Sequence, residues 1–329
     1  MTKLNILRLK QTETKNKVIF LFGPTAVGKT QLLQTLFSGK GEVINADSVQ
    51  VYRCLDIGSS KINKEALKII PHHLLDILEP WEKYNVADFI KNADEAVANI
   101  WARNLIPVVS GGTAFYFKHF LYGLSEAPPS DPETRKAVEE YIKQVGLYEA
   151  HKYLKEVDPQ SGERINVNDA YRISRALEVY KASGKPLSSF KVPTIPRNNM
   201  NALIIGLYRN KETLDTRIKQ RVKLMFDEGI VNEIASLISI GANPSWQSMQ
   251  GIGYKEFLDV VWTGNKEESL DKLFNLKDKE LQIIGERIVL NSVHYAKRQM
   301  TFFKSFANVN WMDPDNVEEI SSIIETYLE

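Results

Sequence analysis

Cysteine is almost absent from this chain. Of its 329 residues only Cys54 is a thiol, which excludes an intrachain disulfide framework and a Cys-rich zinc site. Long apolar runs are missing as well. No stretch approaches the roughly 18 consecutive apolar residues that span a bilayer. The opening stretch, MTKLNILRLKQTETKNK, breaks its apolar runs with Lys and Arg and lacks the apolar core of a signal peptide. These absences point to a cytosolic (cytoplasmic) protein with no membrane partner. Net charge is nearly absent too, at +1, and there is no internal repeat or low-complexity tract. What remains, 43% hydrophobic and 25% charged residues, is the composition of an ordinary globular protein. The length suits one large domain or two linked ones.

The small net charge hides an asymmetry. From Arg164 to Arg221 there are 12 Lys or Arg against four Asp or Glu, whereas the tail beyond Asn308 carries acids and no Lys or Arg. A basic middle in a neutral chain is the footprint of a phosphate-rich partner gripped by one region. Two solvated basic helices would leave the same trace.

The pattern of the first third is α/β. KVIFLF (Lys17 to Phe22), EVINA (Glu42 to Ala46) and IPVVS (Ile106 to Ser110) are short continuous apolar runs, the mark of parallel strands buried on both faces. Between them, Leu32, Leu33 and Leu36 share a helical face, and Val86 to Trp101 has helical apolar spacing. Strand and helix in alternation predict a parallel sheet with crossover helices. After Gly123 the texture changes. SEAPPSDPETR is a turn-rich boundary, because Pro128, Pro129 and Pro132 cannot sit inside a helix. The chain is then helical to about Tyr180, and Ser183 to Pro196 forms a second boundary. ALIIGL (Ala202 to Leu207) returns it to the sheet. The predicted layout is an α/β core, residues 1–124, a helical insertion, 125–196, and a mostly helical return to the core, 197–329.

One motif carries chemistry at first sight. Gly23, Pro24, Thr25, Ala26, Val27, Gly28, Lys29 and Thr30 match GxxxxGK[ST] at every fixed position, after a strand and before a helix. Such a loop turns backbone N–H groups inward around a phosphate, and the helix adds its positive end. Lys29 supplies a point charge, and the Thr30 hydroxyl is placed to ligate magnesium. The motif alone does not say which phosphate compound binds. Asp47 follows the second strand, at the end of an open α/β sheet where ligands sit. Magnesium ligand, general base and helix N-cap are all open to it.

GPTAVGKT and INADSVQVYRCLDIGSSK resemble the first two signatures of the tRNA dimethylallyltransferases. The resemblance continues in order through PHHLLDI, VSGGTAFYFK, RALEVY, GKPLS, GIGYKE and AKRQMTFF, from Val18 to Trp311. It implies a P-loop NTPase-like core in which the loop holds the pyrophosphate of dimethylallyl diphosphate, with magnesium as cofactor. It further implies transfer of the dimethylallyl group to the exocyclic amine of the adenine 3′-adjacent to the anticodon in tRNA. Asp47 matches the general base, and Arg221 the arginine on the pyrophosphate. Arg217 and Arg221 lie four apart, beside a stripe of Leu214, Ile218, Val222 and Met225.

The tRNA-contacting positions implied by the family are Asp47, Ser48, Val49 and Gln50, then Thr113 and Arg135. They continue with Tyr171, Arg172, Ile173, Ser174 and Arg175, and with Gln250, Gly251, Ile252, Gly253, Tyr254 and Lys255. Basic residues interleaved with an aromatic suit a splayed single-stranded loop, and Lys297 and Arg298 add candidate phosphate contacts. No protein partner is implied. The added zinc finger of eukaryotic relatives is missing, as in the compact bacterial form. His72 and His73 are adjacent and lack metal-ligand spacing, and Cys54 is expected to be a small buried residue. Three rivals stand beside this reading: a P-loop small-molecule kinase with the same core, which would not explain GIGYK or AKRQ; a nucleotide-gated RNA-binding protein without prenyl transfer; and a close relative that prenylates free adenine nucleotides, against which the large helical insertion argues.

Overall fold

The computed structural model describes residues 16–129 and 131–329. The reading of the N-terminal stretch through residue 15, and Ser130 within the first boundary, lie outside the described residues. The chain divides into two compact units, one of residues 16–121 with 197–329 and the other of residues 122–196.

The first unit is built on a parallel sheet of six strands. These are β1 (Lys17–Phe22), β2 (Gly41–Asn45), β3 (His72–His73), β4 (Ile106–Gly111), β5 (Asn201–Leu207) and β6 (Asn310–Met312), in the order β3-β2-β4-β1-β5-β6. The first helices are α1 (Lys29–Phe37), α2 (Lys64–Ile69), α3 (Val86–Ala102) and α4 (Ala114–Tyr122). Strand β1 shows why a continuous apolar run suits the centre of such a sheet. Its side chains alternate between faces, and both faces are covered. Ile19 and Leu21 join Leu32, Leu33 and Phe37 of α1 on one side. Phe20 and Phe22 turn to the other, where Phe22 stacks on Phe303 at 4.2 Å and meets Phe117 edge-on at 5.4 Å. Truncating a ring buried this fully costs about 3–5 kcal/mol. Helix α3 starts at a capping box in which Asn85 and Asp88 satisfy each other's backbone N–H, a feature worth about 1 kcal/mol.

The second unit is helical: α5 (Pro132–Val145), α6 (Leu147–Val157), α7 (Pro159–Arg164) and α8 (Ala170–Ser183). Its core gathers Val138, Ala150, Leu154, Ile165, Ile173, Ala176 and Leu177. Buried Asp158 fastens it, accepting from Ser161 N at 3.0 Å and from Ser188 N at 2.9 Å.

Chain 197–329 adds β5 and β6 to the sheet, followed or flanked by α9 (Lys211–Asp227), α10 (Ile230–Ser239), α11 (Lys255–Val261), α12 (Lys266–Phe274), α13 (Asp278–Phe303) and α14 (Val317–Leu328). The basic stretch from Arg164 to Arg221 is shared between the two units. Several of its charges are also spent in ion pairs: Arg197 with Asp94, Arg209 with Asp315, and Lys211 with Asp215. Cys54 corrects an expectation. It is exposed, because it sits in a turn with φ of 64° that turns its side chain outward.

Candidate active site

Three sequence motifs meet because three adjacent strands end side by side. The phosphate loop follows β1, Asp47 follows β2, and Gly112 and Thr113 follow β4, with β4 between the other two. Pairing of Phe22 with Gly111 and of Asn45 with Ser110 brings those ends level. They line a cavity of about 630 Å³ together with Arg217, Arg221 and α13.

The loop has the conformation that an anion cradle needs. Ala26 and Gly28 take left-handed backbone angles, and α1 starts with no side-chain cap and no acid in its first turn. Its opening N–H groups are therefore presented to the cavity as donors. Three arginines surround the loop. Arg209, just past β5, donates to Val27 O at 2.8 Å, and Arg217 donates to Ala26 O at 2.7 Å. Arg221 donates to Thr25 Oγ1, to Ser60 Oγ at 2.6 Å and to Ser59 O at 3.0 Å. Lys29 donates to Gly23 O and Pro24 O, each at 2.9 Å. Burial, seconded by the charge of Arg221, pulls the Lys29 ammonium down to about 8. Burial also lowers Arg221, which Asp47 partly offsets.

Asp47 does two jobs with two oxygens. Oδ1 accepts from Val49 N at 2.9 Å and Gln50 N at 3.2 Å, so Asp47 caps a turn, and not the helix N-terminus that the sequence left open. Oδ2 accepts no hydrogen bond from the described residues and lies close to Gly112, where an added Cβ would come within 3.5 Å of it. The same Cβ would fall 2.8 Å from Gln299 Nε2, so a larger residue here would displace the Gln299 amide. Thr113 serves the turn too: its hydroxyl accepts from Ser48 N at 3.0 Å.

Gln299 is a residue that sequence reasoning missed. Buried on α13, it donates to Gly112 O at 2.7 Å and accepts from Thr25 N at 2.9 Å, tying the β4 turn to the phosphate loop. Tyr295, one turn earlier, donates to Gly112 O at 3.1 Å. Glu233 was missed as well. Its carboxylate accepts from the N–H groups of Asp56, Ile57 and Gly58 and from Tyr254 Oη, at 2.7–3.0 Å. It therefore clamps the turn that delivers Ser59 and Ser60 to Arg221. Arg209, likewise absent from the sequence candidates, is the first basic residue after a strand, which was the one available signal.

Two of the sequence candidates point away from any surface. Tyr254 is fully buried, its hydroxyl accepting from Ser59 N at 3.1 Å, and its ring fills the space that a Cβ on Gly58 would need. Gly253, at φ of 98°, packs an absent Cβ against Gly58 O. That half of GIGYK is an internal lock, whereas Gln250, Gly251 and Ile252 line the cavity. Ile173 is fully buried in the helical core, so its side chain is structural. Lys255 pairs with Asp259 at 2.8 Å. In the helical unit, Arg135, Tyr171 and Arg172 are exposed, Tyr171 by 79%. Ser174 donates to Glu178 at 3.0 Å, and Arg175 is half-buried, donating to Pro128 O at 2.5 Å. Arg298 lines the cavity and lies over the ring of Tyr295, while Lys297 is exposed outside it. His73 Nε2 bonds Glu42 at 2.6 Å, and His72 Nδ1 bonds Ile70 O at 2.9 Å.

Known proteins resemble the whole of this arrangement. The family model described as IPP transferase matches residues 50–306. A tRNA dimethylallyltransferase of Borrelia hermsii is 43% identical over 304 residues, 92% of this chain and 96% of that one. The crystal structure of the tRNA isopentenylpyrophosphate transferase from Bacillus halodurans superposes with a TM-score of 0.63 at 34% identity, covering 95% of this chain and 97% of that one. A eukaryotic dimethylallyltransferase, solved while acting on tRNA, gives 0.71 at 26% identity, covering 94% and 77%. A phosphate loop, a carboxylate and an arginine cluster at the ends of adjacent strands, with these likenesses over nearly the full length, show that the chain belongs to the tRNA dimethylallyltransferase family.

Proposed function

We propose that the chain transfers the dimethylallyl group of dimethylallyl diphosphate to the exocyclic amine of the adenine 3′-adjacent to the anticodon in tRNA. One observation carries the reading. A single cavity of about 630 Å³ has a phosphate loop with Lys29, Arg217 and Arg221 on its wall, and also Asp47 with an uncommitted carboxylate oxygen. The cradle suits a diphosphate, and the carboxylate suits an amine. The names of the relatives supply the acceptor and the group.

In this reading the bond from prenyl C1 to oxygen breaks as C1 bonds to the adenine nitrogen, and pyrophosphate leaves. Oδ2 of Asp47 takes the proton that the amine loses, while Oδ1 keeps the carboxylate aimed through its two backbone bonds. An aryl amine is a weak nucleophile and the allylic carbon becomes cation-like, so orientation and charge stabilisation carry most of the rate. Lys29 and Arg221 neutralise the charge that grows on the pyrophosphate. The Thr30 hydroxyl offers the hard oxygen donor that magnesium prefers. Among the described residues no cluster of three or more His, Cys, Asp or Glu could hold a metal, so the other ligands would be pyrophosphate oxygens and water. Magnesium, when bound, would add to the neutralisation of the leaving group.

A stacked adenine cannot present its amine to a buried donor and has to be extruded. Ser48, Val49, Gln50, Thr113 and the loop Gln250 to Ile252 are the residues proposed to receive it, with Arg135, Tyr171 and Arg172 gripping the anticodon arm. The test is incubation with magnesium, dimethylallyl diphosphate and bulk tRNA, followed by mass spectrometry of digested nucleosides. Prenyl-adenosine is the expected product, and unmodified adenosine under all donor concentrations would overturn the proposal.

A further inference from the structure

A second cavity, about 680 Å³ and open to solvent, lies between α9 and α13, with an apolar floor rimmed by charged side chains such as Lys219, Lys223, Asp227 and Glu286. Its lining includes Phe226, Leu281, Gly285, Val289 and Val293. Among the described residues only Val222 lines both this cavity and the catalytic one. Val222 is buried and is the residue next to Arg221. On the catalytic side it sits among Ile218, Met225 and Ile288, the apolar part of a wall whose polar part is the phosphate loop and its arginines.

We propose that Val222 is the stop that limits the transferred prenyl chain to five carbons. This rests on the donor assignment above. With the diphosphate in the loop, an allylic tail runs along the apolar wall and ends against the Val222 methyls. A chain longer by one isoprene unit needs the space behind them. That space exists on the far side of Val222, and the surface it offers is mostly apolar. The chemistry is unchanged by chain length: C1 leaves pyrophosphate and bonds to nitrogen, and the proton passes to the carboxylate. Selection therefore depends on volume alone, where a few methyl groups discriminate about 10- to 200-fold.

The experiment compares wild type, Val222→Ala and Val289→Ala on tRNA with dimethylallyl diphosphate and with geranyl diphosphate, counting five- and ten-carbon adenosine products by mass spectrometry. Wild type is expected to yield the five-carbon product. Val222→Ala is expected to raise the geranyl-to-dimethylallyl ratio of kcat/KM at least about tenfold. Val289→Ala enlarges only the second cavity and is expected to keep the wild-type ratio. If Val222→Ala does not fold, Val222→Cys removes less volume and should shift the ratio in the same direction. Equal use of both donors by wild type, or an active Val222 variant with an unchanged ratio, overturns the proposal. Wild type that transfers neither group overturns the donor assignment instead.

Discussion

Glu233→Ala removes four hydrogen bonds at once, three of them from a turn more than 170 residues away in sequence and the fourth from Tyr254. The donors left behind are the N–H groups of Asp56, Ile57 and Gly58 and the hydroxyl of Tyr254, now bonded at 3.0, 2.7, 3.0 and 2.8 Å. Hydrogen bonds to a charged group contribute about 1.5–3 kcal/mol each when well buried. Here the carboxylate is only partly covered and the four act as one network, so they do not add. A loss of about 2–4 kcal/mol follows, which for a unit of this size lowers Tm by about 5–15 °C. The second consequence is functional. The released turn carries Ser59 O and Ser60 Oγ, two of the three partners that aim Arg221. Losing one aimed charge-assisted contact weakens pyrophosphate binding by about tenfold. Glu233→Gln keeps one acceptor oxygen and should fall between wild type and alanine. Thermal melts followed by circular dichroism, and calorimetric titration with inorganic pyrophosphate, read the two effects separately. An alanine variant that melts with wild type and binds pyrophosphate equally well would refute the clamp.

Other outcomes follow from the same geometry. Lys29 titrates near 8 in the free protein, so it is charged below that pH and neutral above it, whereas bound pyrophosphate favours the charged form. Pyrophosphate affinity is therefore expected to fall as pH rises from about 7 to about 10; Lys29→Arg should flatten that fall, and a flat wild-type profile would contradict it. Asp47→Asn keeps the oxygen that caps the turn but loses the base. Single-turnover transfer should drop about 100-fold or more with tRNA binding and Tm nearly intact, and an unchanged rate would leave Asp47 as a cap only. Arg172→Ala should raise the tRNA half-saturation concentration and reduce the salt dependence of binding. Arg175→Ala should in addition destabilise the helical unit, since it loses the bond to Pro128 O. An Arg172 variant with an unchanged salt slope would remove that residue from the RNA contact.

The parts of the fold that the sequence reveals are those where a local pattern and the tertiary environment agree. Strands β1, β2, β4 and β5 read directly because a strand covered on both faces must be apolar throughout. Strands β3 and β6 do not. One is two histidines and the other is three residues including Asn310, too short and too polar for any periodicity. The site divides the same way. The phosphate loop and Asp47 lie in contiguous motifs at strand ends, and Arg221 stands out through its spacing from Arg217 and the family likeness. Gln299, Glu233 and Arg209 act across 274, up to 177 and 182 residues of chain; Gln299 belongs to AKRQMTFF and Arg209 follows a strand, but no local pattern shows which partners they reach. Tyr254 and Ile173 show the opposite error. Neighbours in a motif read together as surface contacts, whereas burial assigns these two to the interior.

The most direct measurement counts two products in one reaction containing magnesium, dimethylallyl diphosphate, tRNA and ATP. Prenyl-adenosine in the digested tRNA is expected to equal the inorganic pyrophosphate released, mole for mole, with ATP unconsumed. ATP hydrolysis in step with product, or pyrophosphate release without modified adenosine, would contradict the assignment of this site to prenyl transfer.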